Sequence, residues 1–245
     1  ALIFLPLAAT MFIPLFLIKE KSTKDGVTVT ETQAKGVNVF RSFAFAFKNK
    51  HFIFWLFTAS VMNFGLQLFL SGINEFFSSS GLNMALVMAS SFAPVPFTLQ
   101  IYNKLVKKKG IKFGFQYVLL MFSLGMVLMF FCRKLPLEIM LPVAIGCGII
   151  VSFAIGAFFS ITYTIPSQLA AEENARTGIC ASSMYFAVHG LFEGIAAGLA
   201  SGVMLVWLKQ NNGIPYMTLM IAAACMSAFV LAFFLPRSIA LLGKE

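Results

Sequence analysis

Tyr185, His189 and Glu193 are spaced by four residues, so on a helix they stack along one face. Glu193 falls near the middle of a long apolar run, the only acidic residue so deep in any such run; Glu75 and Glu138 lie near run ends. A bare carboxylate in lipid costs several kcal/mol, so Glu193 is expected to be protonated, paired or bathed in cavity water. A proton- or substrate-handling group is the functional reading. A structural ion pair with a basic residue outside this chain is the alternative. A second constellation is Ser60, Asn63, Gln67, Ser71 and Asn74. At about 100° per residue these fall within one quadrant of a helix. Such a stripe lines an aqueous or substrate cavity, or else hydrogen-bonds to a neighbouring helix. The residues expected to serve a substrate or proton pathway are therefore Glu193, His189, Tyr185, Asn63, Gln67 and Asn74.

Other chemistries find no support in the sequence. No P-loop is present, and no Ser sits in a nucleophile elbow. His51 and His189 are far apart and lack zinc-site spacing. Cys132, Cys147, Cys180 and Cys225 show no paired or metal-ligand pattern and read as packing residues. Neither a cofactor nor a metal is expected, and an enzyme is not.

The elements that carry these residues follow from composition. Of 245 residues 59% are hydrophobic and 11% charged, with 29 Phe and 13 Met. Soluble domains carry roughly 25% charged residues, so lipid must be the solvent. A run of about 20 apolar residues crosses the hydrocarbon as a helix. Seven such runs occur, at 1–18, 51–78, 83–103, 113–132, 137–164, 179–207 and 215–235. The fold class is thus all-α, a polytopic membrane helix bundle. The chain starts at Ala1 with an apolar run, which reads as a fragment beginning inside or beside a membrane helix.

The net charge of +9 would hint at nucleic acid in a soluble protein, but the basic residues cluster between apolar runs, where membrane topology wants them. Fifteen Lys and Arg fall on one side: seven in 19–50, five in 102–112, then Arg176, Arg237 and Lys244. Arg133, Lys134 and Lys209 fall on the other. This split alternates with seven crossings and puts the C-terminus in the cytoplasm. The linker begins as a Thr/Lys/Gly-rich stretch. Further on, Phe40, Phe43 and Phe47 share a helical face beside Arg41, Lys48 and Lys50, as in an interfacial helix or an extension of the next span.

Small residues form two stripes: Gly190, Gly194, Gly198 and Gly202 in the sixth run, and Gly148, Ser152, Gly156 and Ser160 in the fifth. They are expected to let these two helices pack closely or slide past each other. Pro94 and Pro96 predict a kink in the third run.

Three segments resemble the glycoside–pentoside–hexuronide:cation symporters, the melibiose-permease-like branch of the major facilitator superfamily. FRSFAFAFKNKHFIF (40–54) resembles their linker-to-helix entry, and YNKLVKKKGIK (102–112) their basic loop between the eighth and ninth helices. The stretch 163–194 is similar to their tenth-to-eleventh helix junction, with Pro166, Glu172, Glu173, Thr177, Gly178 and Tyr185 in order. Sugar-transporting members often carry a Lys in the eleventh helix, which this chain lacks.

The resemblance implies the C-terminal half of a major-facilitator fold. Residues 1–18 would be the last helix of an otherwise missing N-terminal half and 19–50 a cytoplasmic linker. Residues 51–237 would form a six-helix bundle, and 238–245 a cytoplasmic tail. It also implies a secondary transporter in a bacterial plasma membrane, moving a sugar, glycoside or similar small solute with Na+ or H+ by alternating access. Its partners would be that solute, the cation, the bilayer and the missing half, with no nucleic acid. The alternatives are a lipid or amphiphile carrier of the same superfamily and a truncated membrane subunit that does not transport.

Overall fold

The structure is a computed structural model that describes residues 47–78, 84–177, 182–235 and 239, all within one compact unit. The apolar run 1–18, the linker before Phe47 with Phe40, Phe43 and Phe45, Gly178, Cys180 and the tail lie outside the described residues. The helices are α1 (Lys50–Ser78), α2 (Met84–Phe92), α3 (Val95–Lys109), α4 (Ile111–Cys132), α5 (Leu137–Thr177), α6 (Ser182–Gly198), α7 (Leu205–Gln210) and α8 (Met217–Phe233). A π-helical turn, Leu199–Met204, joins α6 to α7, and a 3-10 turn, Ile214–Tyr216, leads into α8. Six helices among the described residues are long and apolar enough to cross a membrane, matching the second to seventh apolar runs.

Local chemistry sets the helix ends. Asn49 caps α1, its Oδ1 accepting from the backbone N–H groups of His51 (3.0 Å) and Phe52 (3.2 Å). Pro94 and Pro96 supply no backbone N–H, so the second span breaks into α2 and α3, with Pro96 in the first turn of α3 as the spacing predicts. The Lys104–Lys112 cluster differs from the expected loop. Helix α3 runs to Lys109, its last turn holding Lys107, Lys108 and Lys109 against the negative end of the helix dipole. Only Gly110 then separates it from α4, at φ 88°, a backbone conformation that suits glycine.

Helix α5 also departs from expectation. Residues 166–178 read as a loop, yet α5 continues through Pro166 to Thr177. One proline removes one hydrogen bond, whereas Leu169, Ala170, Ala171, Glu172 and Glu173 are good helix formers, and Leu169 and Ala170 are buried. At 41 residues α5 is about 61 Å long, roughly twice the hydrocarbon thickness, so its charged end projects beyond the bilayer.

The bundle closes as a ring in which α1 packs on α8, α8 on α4, α4 on α5, α5 on α6, and α6 on α1, with α2 and α3 lying against α5. Aromatic contacts fill the centre: Trp55 on Phe115 at 5.6 Å, and Phe122 against both Phe69 (5.7 Å) and Phe158 (5.2 Å). Cys132, Cys147 and Cys225 are buried free thiols, in keeping with packing roles. Successive spans alternate in direction. One end holds Lys48, Lys50, Lys104, Lys107, Lys108, Lys109 and Lys112. The other holds Arg133, Lys134 and Lys209, where Lys209 Nζ pairs with Glu75 Oε1 at 2.7 Å.

The small-residue stripes do not meet each other, which corrects the sequence expectation. The α5 stripe packs on α2 and α3: a Cβ at Gly148 would overlap Ser90 Oγ, one at Gly156 would reach Val95 Cγ1 at 2.7 Å, and the Ser152 carbonyl accepts from Thr98 Oγ1 at 3.1 Å. Around Gly190, Gly194, Gly198 and Gly202 a Cβ would meet nothing within 4 Å among the described residues. Spacing reveals that a helix offers a smooth face, but which helix takes it depends on tertiary packing.

Candidate functional site

Helices α1 and α5 touch only sparsely, and α6 bridges them. A cavity of about 280 Å³ opens on this seam at the middle of the spans. Its polar wall is Asn63 and Gln67 from α1, Thr162 and Tyr163 from α5, and Glu193 from α6. Phe158, Phe159 and Leu66 supply apolar surface, and Gly194 and Ala197 add little bulk. Asn63 Nδ2 donates to the Glu193 carbonyl oxygen at 3.1 Å, which fixes α1 to α6 and leaves the amide oxygen of Asn63 as an acceptor.

The Glu193 side chain is partly exposed at 23%, whereas His189, one turn before it, is 3% exposed. His189 Nε2 lies 3.3 Å from Glu193 Oε1, outside hydrogen-bonding alignment. The imidazole stacks on Trp55 with ring centroids 6.4 Å apart. Tyr185 is fully buried, packs on Phe52 at 4.4 Å, and its hydroxyl accepts from Asn49 Nδ2 at 3.2 Å.

Of the six residues singled out from sequence, Asn63, Gln67 and Glu193 therefore line one cavity. His189 and Tyr185 lie behind it, toward the basic end of the bundle. Asn74 is not brought to the cavity and is exposed nearer the opposite end. The α1 stripe shares a face but spans about four turns, so one cavity takes only its middle. Ser60 instead lines an apolar groove of about 280 Å³ with Phe57, Phe64, Phe192 and Leu199, on the other side of the α1–α6 pair. Sequence reasoning missed Thr162 and Tyr163. Their signal was the run Ser160, Thr162, Tyr163 and Thr164, four hydroxyls within an apolar span.

The cavity offers two amides, two hydroxyls, one carboxyl group and aromatic faces. That set can hydrogen-bond a neutral polyhydroxylated solute as donor and acceptor, and the carboxyl can also carry a proton or face a cation. No group of three or more His, Cys, Asp or Glu among the described residues could hold a metal ion.

A helical membrane bundle with a polar cavity at mid-span is the architecture of a solute carrier. The chain matches the MFS/sugar transport protein family over residues 1–214 and belongs to that family of the major facilitator superfamily; it is an integral membrane transporter protein. No curated protein and no solved structure matches the chain.

Proposed function

We propose that the protein forms the C-terminal half of a secondary active symporter for a sugar, glycoside or similar small polar solute. The polar seam between α1, α5 and α6 is this half's wall of the solute pathway, and Glu193 with His189 couples transport to a cation. The observation that carries the reading is the convergence of Asn63, Gln67, Thr162, Tyr163 and Glu193 on one mid-span cavity. Its volume sits just below the roughly 300–1,000 Å³ of complete ligand pockets, as expected where a second half supplies the facing wall. The glycine face of α6 and its π turn, with no neighbour among the described residues, supports an interface with that other half. The basic end is the cytoplasmic one under the positive-inside rule. Motif resemblance to the glycoside–pentoside–hexuronide:cation symporters supports the solute class.

The apolar groove beside the α1–α6 pair favours a second reading, a carrier of amphiphiles whose polar head occupies the seam and whose chain lies along Phe57 and Phe64. Proteoliposomes holding the full-length protein separate the two. Radiolabelled mono- and disaccharides should accumulate when a proton or sodium gradient is imposed. Accumulation of lysophospholipid alone would favour the second reading, and no gradient-driven accumulation of any sugar would contradict the first.

A further inference from the structure

The corner between α3 and α4 carries chemistry that the solute seam does not use. Between Glu75 and Glu138 the sequence has no acidic residue, yet five Lys fall within 104–112. The positive-inside rule explains which end of the bundle they occupy. It does not explain how they are arranged. Only Gly110, at φ 88°, separates the last turn of α3 from the first turn of α4, so the lysines gather at one corner. The helix dipole favours Lys107, Lys108 and Lys109 in that last turn. Lys104 lies a turn earlier, beyond the reach of that effect, and repels Lys108 four residues on.

Lys104 and Lys108 share their face of α3 with apolar residues. At about 100° per residue, Phe97, Ile101, Lys104 and Lys108 fall within about 60° of one another. All four are exposed, Phe97 at 71% and Ile101 at 50%. The opposite face is buried: Thr98 donates to the Ser152 carbonyl of α5, and Tyr102 packs over Gly114 of α4. One line on α3 therefore runs from bare apolar side chains within the span to two cations at its basic end. Across the corner, Lys109 Nζ sits 4.2 Å from the ring centroid of exposed Phe113, which repeats the pairing of cation and apolar surface on α4. Lys112 is engaged elsewhere, donating to the Phe233 carbonyl at 2.6 Å. The carboxylates at this end of α5 also face away from the corner: Glu172 and Glu173 line a cavity with Lys48, Asn49, Lys50 and His51 at the start of α1.

We propose that the α3–α4 corner is a binding site for an anionic phospholipid of the cytoplasmic leaflet. The phosphate sits among Lys104, Lys108 and Lys109, and an acyl chain lies along Ile101 and Phe97. Long cationic side chains lay their stems on apolar surface and lift the charge to the headgroup level, where clustered lysines attract anionic lipid. The lipid relieves the repulsion between Lys104 and Lys108, which α2, α3 and α4 have no carboxylate to offset. No residue lining the mid-span cavity lies on α3 or α4, so the site can fail without the solute route failing.

The test uses the full-length protein in phosphatidylcholine proteoliposomes. Its native Cys are replaced, and a bimane label is placed through Gln100→Cys, an exposed position beside the line on α3. Quenching of the label is measured with brominated phosphatidylglycerol and with brominated phosphatidylcholine at equal content. The anionic lipid should quench about threefold more strongly. In about 1 M salt this preference should fall toward parity, because exposed charges are screened. Lys104→Gln, Lys108→Gln and Lys109→Gln together should bring the two lipids level, whereas Arg at the same three positions should keep the preference. Lys134→Gln, at the opposite end of α4, should leave it unchanged. Equal quenching by the two lipids in the labelled parent overturns the site, and so does a preference that outlasts the triple Gln change. Quenching by neither lipid overturns it as well, since this face is then covered by protein, the other half of the transporter or a second copy. Should the triple variant fail to fold, the salt response of the labelled parent decides: a preference that stays the same in about 1 M salt rejects the lysines as its cause.

Discussion

Gly148→Leu is expected to abolish most of the folded yield. A Cβ there would overlap Ser90 Oγ and come within 2.9 Å of Ser91 Oγ, so α2 and α5 must separate before any leucine fits. Overpacking of this kind costs about 1–3 kcal/mol in tolerant cores, and backbone separation along a helix pair adds to it. Gly146→Leu is the matched control, two residues away on the same helix. A Cβ at Gly146 meets nothing within 4 Å among the described residues, and the residue lines an open apolar groove. Fluorescence-detected size exclusion and melting should show aggregate for the first variant and parent-like protein for the second. Equal behaviour of the two would mean that α5 does not press its small-residue stripe against α2.

Glu193→Gln should uncouple transport. Glutamine keeps the shape and a hydrogen-bonding head but cannot ionise. It also leaves intact the contact of Asn63 Nδ2 with the backbone carbonyl. Gradient-driven uptake should fall at least about tenfold, in line with the roughly 1.5–3 kcal/mol attached to a charged hydrogen-bonding group. Solute exchange, which moves no net cation, should survive. Any pH dependence of uptake should flatten. A purely structural carboxylate predicts otherwise: binding, exchange and folding would fall together. Parent-like concentrative uptake with unchanged pH dependence would remove Glu193 from the mechanism.

The spans were legible because lipid imposes a simple rule. A helix must stay apolar for about 20 residues, and no tertiary contact can relax that. The Pro94–Pro96 break was legible for the same local reason, since two missing N–H groups fall within three residues. Pro166 was misread because a lone proline is a weak signal. The helix formers after it and the burial of Leu169 outweigh one lost hydrogen bond. The site was half legible. Helical periodicity gave a face for Asn63 and Gln67, and a charge in an apolar run marked Glu193. Periodicity carries no depth, however, so Asn74 looked equivalent to Gln67 although it lies near the far end of α1. Thr162 and Tyr163 are uncharged and common in membrane helices, and only the bridging of α1 and α5 by α6 brings them to the cavity. The two glycine stripes have the same spacing, yet one meets α2 and α3 while the other meets no described residue. That difference lies in which helices are neighbours, a property of the fold rather than of either helix.

A solute that travels along the α1–α5–α6 seam must shield the residues that line it. The direct measurement is solute protection of single-Cys variants of the full-length transporter, Thr162→Cys in the cavity and Asn74→Cys outside it. A saturating transported sugar should slow maleimide labelling at position 162 several-fold and leave position 74 unchanged. Equal labelling at position 162 with and without the sugar would contradict the account.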